Sequence, residues 1–251
     1  MLLFDRPGYG YSERPRGLRW SPEQQAELLH DALDQMGIER PVVLGHSWGA
    51  LVALAMGLRF PHQTAGLVLV SGYYFPSLRL DTLWLSAPAL PVIGTLMRHT
   101  VSPLIGRLMW PLSVGRMFAP RPPSERFRRD YPVWMSLRPG QLHASASEAA
   151  QMIPAAAAMR ELHSQLGVPT VLVAGAKDRL LSTRWHSSRL NDEIGSGWLR
   201  VIEGAGHMVH HAAPEQVAAA VEQVLRLADE APRRLAVPAA EPGFVPTVAP
   251  A

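Results

Sequence analysis

The sequence predicts an α/β fold, with a doubly wound and mostly parallel sheet and an inserted helical cap. Short apolar runs alternate with helical patterns near both ends of the chain, and such alternation is typical of parallel βαβ units. The alternation breaks over residues 73–166, where prolines and helical patterns replace strand-like runs. The 251-residue chain, with 47% hydrophobic and 18% charged residues, is long and apolar enough to fold around one sizeable core.

The first elements follow from local signals. Residues 2–4 read as the end of a strand that runs into a turn rich in Gly and Pro. Ser21 is a suitable N-cap for a helix with Pro in its first turn, and Gly37 ends that helical pattern. Residues 42–44 have the length and composition of a buried strand, and residues 48–60 predict the helix after it.

The later elements repeat this alternation. Residues 67–70 predict the next strand, and residues 170–174 predict another one beyond the interruption. A helical pattern over residues 182–194 leads to a strand-like run at 198–202. A last helix is predicted over residues 214–228.

These elements divide the chain into a core, an insertion and a tail. We assign residues 1–72 and 167–230 to the α/β core, and residues 73–166 to the helical cap. Residues 231–251 are rich in Pro, Ala and Arg without periodicity, so we expect a disordered tail there.

Composition limits the function classes. The net charge is only +3 and the arginines are scattered, so we expect no nucleic-acid partner. The absence of cysteine excludes disulfides, a thiolate nucleophile and Cys-ligated zinc. No apolar run is long enough to predict a membrane-spanning helix, and the first residues do not resemble a signal peptide. We expect a cytoplasmic protein that needs no cofactor; the oligomeric state is not predicted.

The segment Gly45-His46-Ser47-Trp48-Gly49 fits the pattern G-x-S-x-G and lies between a predicted strand and a predicted helix. In that context the pattern predicts a nucleophile elbow, a strained turn that exposes the Ser47 hydroxyl. Any Cβ at the two glycines is expected to collide with neighbouring backbone. The backbone N–H of Trp48 would point at a developing oxyanion. An ordinary Gly-rich turn between strand and helix is the alternative.

A serine hydroxyl needs a base, and the base needs an orienting acid. Among ten histidines, only His207 directly follows a predicted strand in a Gly-rich turn, so we predict it as the base. The side chain of His46 should point away from the hydroxyl. Asp178, just past the strand at 170–174, is the predicted acid. The alternatives are a structural loop histidine and a turn-capping aspartate.

A second histidine pattern, His207-x-x-His210-His211, could suggest a metal site, because His207 and His211 would share a helix face. No matching acidic or further histidine cluster accompanies it. We therefore predict no metal and interpret His210 and His211 as loop residues or neighbours of the site.

Together the motifs resemble successive landmarks of the α/β-hydrolase superfamily, in particular its capped esterase, haloperoxidase-like and carbon–carbon hydrolase branch. Four segments carry the resemblance: Phe4-Asp5-Arg6-Pro7-Gly8-Tyr9-Gly10-Tyr11-Ser12, the elbow, Gly175-Ala176-Lys177-Asp178 and Gly204-Ala205-Gly206-His207. The resemblance implies a Ser47–His207–Asp178 triad and an oxyanion donor at Trp48. Haloalkane dehalogenases and epoxide hydrolases of this superfamily carry Asp at the elbow, so Ser47 argues against both.

One departure from the superfamily concerns the N-terminus. The family has three strands before the strand expected at residues 2–4, and the third ends in a loop that supplies a second oxyanion N–H. We expect that the start of this chain is internal, through truncation or a misplaced start codon. The alternative is that residues 2–4 pair with residues 42–44. Loss of one oxyanion donor costs about 2.7–4 kcal/mol in the transition state.

The cap sequence bears on the substrate. Residues 78–118 are rich in large apolar side chains, and Trp84, Trp110 and Trp134 add to them. Such a cap could line a pocket for a lipophilic ester. The alternatives are a plain cap-to-core contact and, less favoured because basic residues are few there, membrane-surface contact through residues 104–112.

The sequence thus predicts a serine hydrolase that cleaves a carboxylic ester or related acyl bond of a lipophilic small molecule. A carbon–carbon bond hydrolase or a perhydrolase with the same triad is one alternative. A non-catalytic binding protein with this fold is the other.

Overall fold

The computed structural model describes residues 1–77, 85–195 and 197–230. The described sheet has four strands, all paired in parallel in chain order: β1 Val42–His46, β2 Gly66–Val70, β3 Thr170–Gly175 and β4 Gly197–Ile202. The α-helices are α1 Pro22–Gln35, α2 Trp48–Arg59, α3 Ile93–His99, α4 Val101–Phe118, α5 Glu125–Asp130, α6 Val133–Ser136, α7 Pro139–Arg160, α8 Arg189–Ile194, α9 Val209–Ala212 and α10 Pro214–Glu230. The described residues also form short 3-10 turns at Ala87–Ala89 and His163–Gln165 and a π-helical turn at Arg184–Ser188.

Helices cover both faces of this sheet. Alternate side chains of β2 enter two apolar layers, because successive residues of a strand point to opposite faces. Leu67 and Leu69 pack with α1 and α2, whereas Val68 and Val70 pack with α10. Both layers are fully buried at β2 and β3, as in parallel sheets generally. The predicted doubly wound α/β fold is confirmed.

Helix α1 begins where the sequence predicts it. The Ser21 hydroxyl accepts a hydrogen bond from the Gln24 N–H, and the Gln24 side chain accepts one from the Ser21 N–H. This reciprocal capping satisfies two N–H groups that no helical carbonyl can reach. Gly37 follows the helix with φ +66°, which glycine adopts without strain.

The described part of the segment between β2 and β3 is mostly helical and contains α3 to α7. The longest, α7, reaches the core, where Ala155 and Met159 join the apolar layer of α2. Trp134 is exposed, and the Trp110 ring stacks on the Tyr131 ring at 5.1 Å. Trp84, which the sequence places in the same apolar segment, lies outside the described residues.

A buried polar network joins α7 to the N-terminal segment. The Glu148 carboxylate of α7 accepts hydrogen bonds from the Arg6 guanidinium, the Tyr9 hydroxyl at 2.7 Å and the Gln25 amide at 3.2 Å. Burial and the charge of Glu148 raise the pKa of Tyr9, so its hydroxyl stays a donor. Each partner of the buried carboxylate thus offsets part of its desolvation cost.

The expectation that residues 2–4 end a strand is wrong. These residues have no strand conformation, and their side chains are exposed. The alternative pairing with residues 42–44 is absent as well, since the described pairing of β1 is with β2. Residues 2–4 therefore form no part of the described sheet. Leu44 of β1, the strand at one edge of this sheet, is exposed.

Two further expectations concern the ends and the membrane. The tail expected at residues 231–251 lies outside the described residues. Among the helices of the described part of the chain, none has both the length and the apolar character needed to cross a membrane.

Candidate active site

Ser47 occupies the sharp turn between β1 and α2. Its φ of 55° and ψ of −118° lie in a region that side-chain-bearing residues rarely adopt. The Ser47 N–H donates to the carbonyl of Val70 at 2.9 Å, so the neighbouring strand holds this strained turn in place. Such a turn lifts the hydroxyl above the carboxyl edge of the sheet.

The two glycines of the elbow have different environments. A Cβ at Gly45 would lie 2.1 Å from the carbonyl oxygen of Gly49 and 2.8 Å from the Cα of Ala50. At Gly49 a Cβ would meet nothing within 4 Å. The expectation of a collision at both glycines is therefore right for Gly45 and wrong for Gly49, because only Gly45 faces the backbone of the following helix.

The structure brings Ser47, His207 and Asp178 together although they are far apart in the sequence. The Ser47 Oγ lies 3.1 Å from Nε2 of His207, and Nδ1 of His207 lies 2.8 Å from Oδ2 of Asp178. The side chains of His207 and Asp178 are only 5% and 2% exposed. Because an imidazole nitrogen facing a carboxylate must donate, Nδ1 carries the proton and Nε2 is free to accept one from Ser47.

The remaining oxygen of Asp178 is fixed by backbone donors. Its Oδ1 accepts hydrogen bonds from the N–H groups of Leu180 at 2.8 Å and Leu181 at 3.0 Å. This turn is typical of an aspartate that caps the backbone two and three residues on. The turn-capping alternative and the acid role thus use different oxygens of one carboxylate.

Glycines also allow the two loops that carry Asp178 and His207 to approach each other. A Cβ at Gly175 would lie 2.3 Å from the carbonyl oxygen of Gly206. A Cβ at Gly206 would lie 1.8 Å from the carbonyl oxygen of Ala119, directly after α4. The loop before His207 is therefore clamped between β3 and the helical segment, which restricts the position of the imidazole.

The side chain of His46, which we expected to point away from the Ser47 hydroxyl, contacts the backbone of the predicted base. Its Nε2 lies 3.0 Å from the carbonyl oxygen of His207. Burial holds the pKa of His46 well below its usual range, so the ring stays neutral and Nε2–H donates to that carbonyl. Sequence reasoning missed this contact, because residues 46 and 207 meet only through the packing of two loops.

His210 and His211 extend this group of rings along α9. The His46 ring lies 4.4 Å from that of His210, which lies 4.5 Å from that of His211. Burial lowers the pKa of His210 to about 4. Within the described ranges, no three His, Cys, Asp or Glu side chains are arranged to hold a metal ion.

The predicted oxyanion donor, Trp48, is the first residue of α2. The N–H of a first helical residue has no carbonyl partner within its own helix. The helix dipole also makes this end of α2 attractive to negative charge. A site with an activated hydroxyl beside such an N–H can attack a carbonyl and stabilise the resulting oxyanion.

Solved structures share this fold. A thermophilic esterase from Thermogutta terrifontis superposes with a TM-score of 0.67 at 22% identity, covering 89% of this chain and 78% of that one. An alpha/beta hydrolase fold protein from Burkholderia ambifaria gives a TM-score of 0.71 at 24% identity, over 86% and 77% of the two chains. At these identities the likeness shows the fold alone.

Sequence comparison gives the family. Haloalkane dehalogenase 2 of Mycobacterium tuberculosis is 25% identical over 227 residues, or 86% of this chain and 75% of that one. The 2-hydroxy-6-oxo-2,4-heptadienoate hydrolase of Pseudomonas putida is 27% identical over 214 residues, or 82% and 70%. The model of the alpha/beta hydrolase family matches residues 1–220. The chain therefore belongs to the alpha/beta hydrolase family, which confirms the resemblance seen in the sequence.

Proposed function

We propose that this hydrolase cleaves a carboxylic ester or related acyl bond of a lipophilic small molecule, with Ser47 as nucleophile. The observation that carries the proposal is the continuous line of hydrogen bonds from Ser47 through His207 to Asp178. Nucleophile, base and orienting acid are each within hydrogen-bond distance, which is the geometry that activates a serine hydroxyl.

The reaction uses these groups in two stages. Nε2 of His207 takes the hydroxyl proton as Ser47 Oγ attacks the substrate carbonyl, and Asp178 stabilises the imidazolium that forms. The N–H of Trp48 donates to the oxyanion. The C–O bond to the leaving group then breaks, and His207 returns the proton to the departing oxygen. Water, deprotonated by the same imidazole, releases the acid from the acyl-enzyme and restores the Ser47 hydroxyl.

The assignment to esters rests on the nucleophile and on the insertion. A neutral oxygen nucleophile paired with an imidazole base suits a carbonyl electrophile. We place the cap at residues 73–166, inserted in a core formed by residues 1–72 and 167–230, so that its apolar side chains would favour a lipophilic acyl or alcohol group. The fold is shared with the thermophilic esterase named above.

Dehalogenation, which the name of one relative suggests, does not suit a serine nucleophile. Displacement of halide by a carboxylate gives an ester, whose carbonyl water can attack. Displacement by the Ser47 hydroxyl would give an alkyl ether, which has no carbonyl and would leave the enzyme permanently alkylated. The residue at the elbow therefore argues against this activity.

Carbon–carbon bond hydrolysis is the second candidate. Relatives named 2-hydroxy-6-oxo-2,4-heptadienoate hydrolase and 2-hydroxymuconate semialdehyde hydrolase are 27% identical to this chain. Such substrates present a carbonyl to the same Ser47–His207 pair, but the leaving group is a carbon that must be protonated. A panel of p-nitrophenyl esters and a vinylogous 1,5-diketone separates the two candidates.

The serine assignment can be tested directly. Ser47→Ala should abolish both the hydrolysis of short p-nitrophenyl esters and labelling by a fluorophosphonate probe, while the circular dichroism spectrum stays unchanged. Ser12→Ala is the control and should retain both activities, because the Ser12 hydroxyl donates to the Asp5 carbonyl and has no other hydrogen bond among the described residues. Retained hydrolysis in Ser47→Ala would contradict the assignment. A wild-type chain that the probe does not label would favour the binding-protein alternative.

A further inference from the structure

Helix α4 presents an apolar stripe to solvent. Val101, Leu104, Ile105, Leu108 and Leu112 follow the i, i+3, i+4 spacing that places side chains on one face of a helix. All five are exposed, with Leu104 at 71%, Leu108 at 79% and Leu112 at 65%. We call these five residues the α4 stripe.

The opposite face of α4 is the one that packs against the protein. Val114 and Phe118 are buried in an apolar cluster with Met208, and Trp110 packs against the same cluster. The helix is therefore apolar on both faces, although only one face is covered. A helix that is apolar all round is normally enclosed on all sides, so the α4 stripe has the composition of a surface with a partner.

The residues before α4 add to this exposed apolar surface. Helix α3 packs against α4, and Leu90, Val92, Ile93 and Leu96 in and before it are all more than half exposed. Single exposed apolar residues are normal on a protein surface, but such a concentration on consecutive elements marks an interaction site.

The charge of this segment is of one sign. Residues 85–124 contain four arginines and no aspartate or glutamate. Arg107 and Arg116 are exposed on α4 itself, on the same helix as the α4 stripe. A surface that combines exposed leucines with unbalanced positive charge is complementary to a lipid interface that contains anionic headgroups.

We propose that the α4 stripe docks on the surface of an anionic phospholipid membrane, with α4 lying in the plane of the interface. No helix of the described residues, the 18-residue α4 included, is both long and apolar enough to cross a bilayer. A helix in the interface inserts its apolar side chains among the acyl chains while Arg107 and Arg116 extend toward the headgroups.

A second copy of the chain fits the same surface less well. In a contact between two copies through the stripe, each copy would bring Arg107 and Arg116, and α4 offers no acidic residue to pair with them. Anionic lipid supplies the missing negative charge.

Membrane attachment through α4 would take place close to the candidate active site. Ala119, directly after α4, contacts Gly206 through its carbonyl, next to His207. The docking proposal itself does not depend on the proposed function, because it rests only on exposure and charge of the cap helices.

Vesicle co-sedimentation of the full chain tests the proposal. Wild type should pellet with vesicles of phosphatidylcholine containing about a third phosphatidylglycerol, and less with phosphatidylcholine alone. The triple variant Leu104→Ser, Leu108→Ser, Leu112→Ser should lose about tenfold or more in partitioning. Arg107→Gln with Arg116→Gln should bind both vesicle types equally. Higher ionic strength should likewise remove the preference of wild type for the anionic vesicles.

A control replaces three leucines outside this surface that are 43–51% exposed, Leu18→Ser, Leu28→Ser and Leu225→Ser, and should bind like wild type. Leu108→Ser alone provides a smaller loss in the same direction if the triple variant does not fold. Wild type that stays in the supernatant with both vesicles overturns the proposal. So does a stripe variant that pellets like wild type. A second copy would instead be the partner if light scattering shows a dimer that the stripe substitutions dissociate, and if this dimer does not bind vesicles.

Discussion

The elbow glycines offer the sharpest contrast between sequence pattern and structure. G-x-S-x-G treats Gly45 and Gly49 alike, yet an added methyl group meets opposite environments at the two positions. At Gly45 the new Cβ would lie 2.1 Å from the Gly49 oxygen and 2.5 Å from its carbonyl carbon. At Gly49 it would meet nothing within 4 Å. We therefore expect Gly45→Ala to be damaging and Gly49→Ala to be tolerated.

The size of the effect of Gly45→Ala follows from the backbone displacement that the new Cβ requires. Non-bonded carbon contacts are optimal at about 3.5–4.0 Å, so Gly45→Ala requires a backbone shift of more than about 1 Å between β1 and α2. Overpacking against rigid atoms costs about 3 kcal/mol, the upper end of its usual range. For a domain of this size that corresponds to a Tm lowered by roughly 6–12 °C. A shift of about 1 Å at the nucleophile also costs about 100-fold in rate.

Differential scanning calorimetry and the rate of fluorophosphonate labelling measure the two effects. Gly45→Ala should show both the lower Tm and the slower labelling. Gly49→Ala should keep the wild-type Tm or exceed it, since Gly49 lies in α2 and alanine favours helix by up to about 1 kcal/mol. Equal Tm losses in the two variants, or a wild-type Tm in Gly45→Ala, would refute the reasoning.

Two further predictions concern the buried polar groups. Glu148→Ala leaves Arg6 and its neighbours without their buried acceptor and should lower the free energy of unfolding in urea by about 3 kcal/mol. Glu27→Ala, which breaks the exposed pair with Arg59, should cost under about 1 kcal/mol; similar losses would contradict the role of the network. Burial lowers the pKa of His210 to about 4. Between about pH 6.5 and pH 4, the unfolded chain therefore binds a proton at His210 that the folded chain does not bind. The free energy of unfolding should therefore fall as pH drops from about 6.5 to about 4, and the fall should be smaller in His210→Gln; an unchanged slope in that variant would count against this origin.

Much of the fold was predictable because its signals are local. The Ser21 cap, the apolar strand at residues 67–70 and the amphipathic last helix are each specified within one element. The prediction of a strand at residues 2–4 was wrong because strand formation does not depend on local signals alone. A strand needs a neighbour, and residues 2–4 have none among the described residues.

The candidate site was predictable because each group directly follows a strand. Ser47 follows β1, Asp178 follows β3 and His207 follows β4, and the carboxyl ends of parallel strands share one edge. Three positions with suitable chemistry therefore had to lie close together once the sheet was recognised. Their hydrogen bonds, with distances of 2.8 and 3.1 Å, depend on how the loops after the strands pack together.

By itself, the sequence determined the α/β alternation and the family and named three candidate site residues, since these depend on residue type and on order along the chain. Tertiary structure alone decided which elbow glycine is crowded, which carbonyl His46 binds, that Glu148 joins α7 to the N-terminal segment, and which face of α4 is left uncovered. The physical reason is distance along the chain: these contacts join residues that approach each other only through packing, and neither periodicity nor spacing specifies how two elements pack.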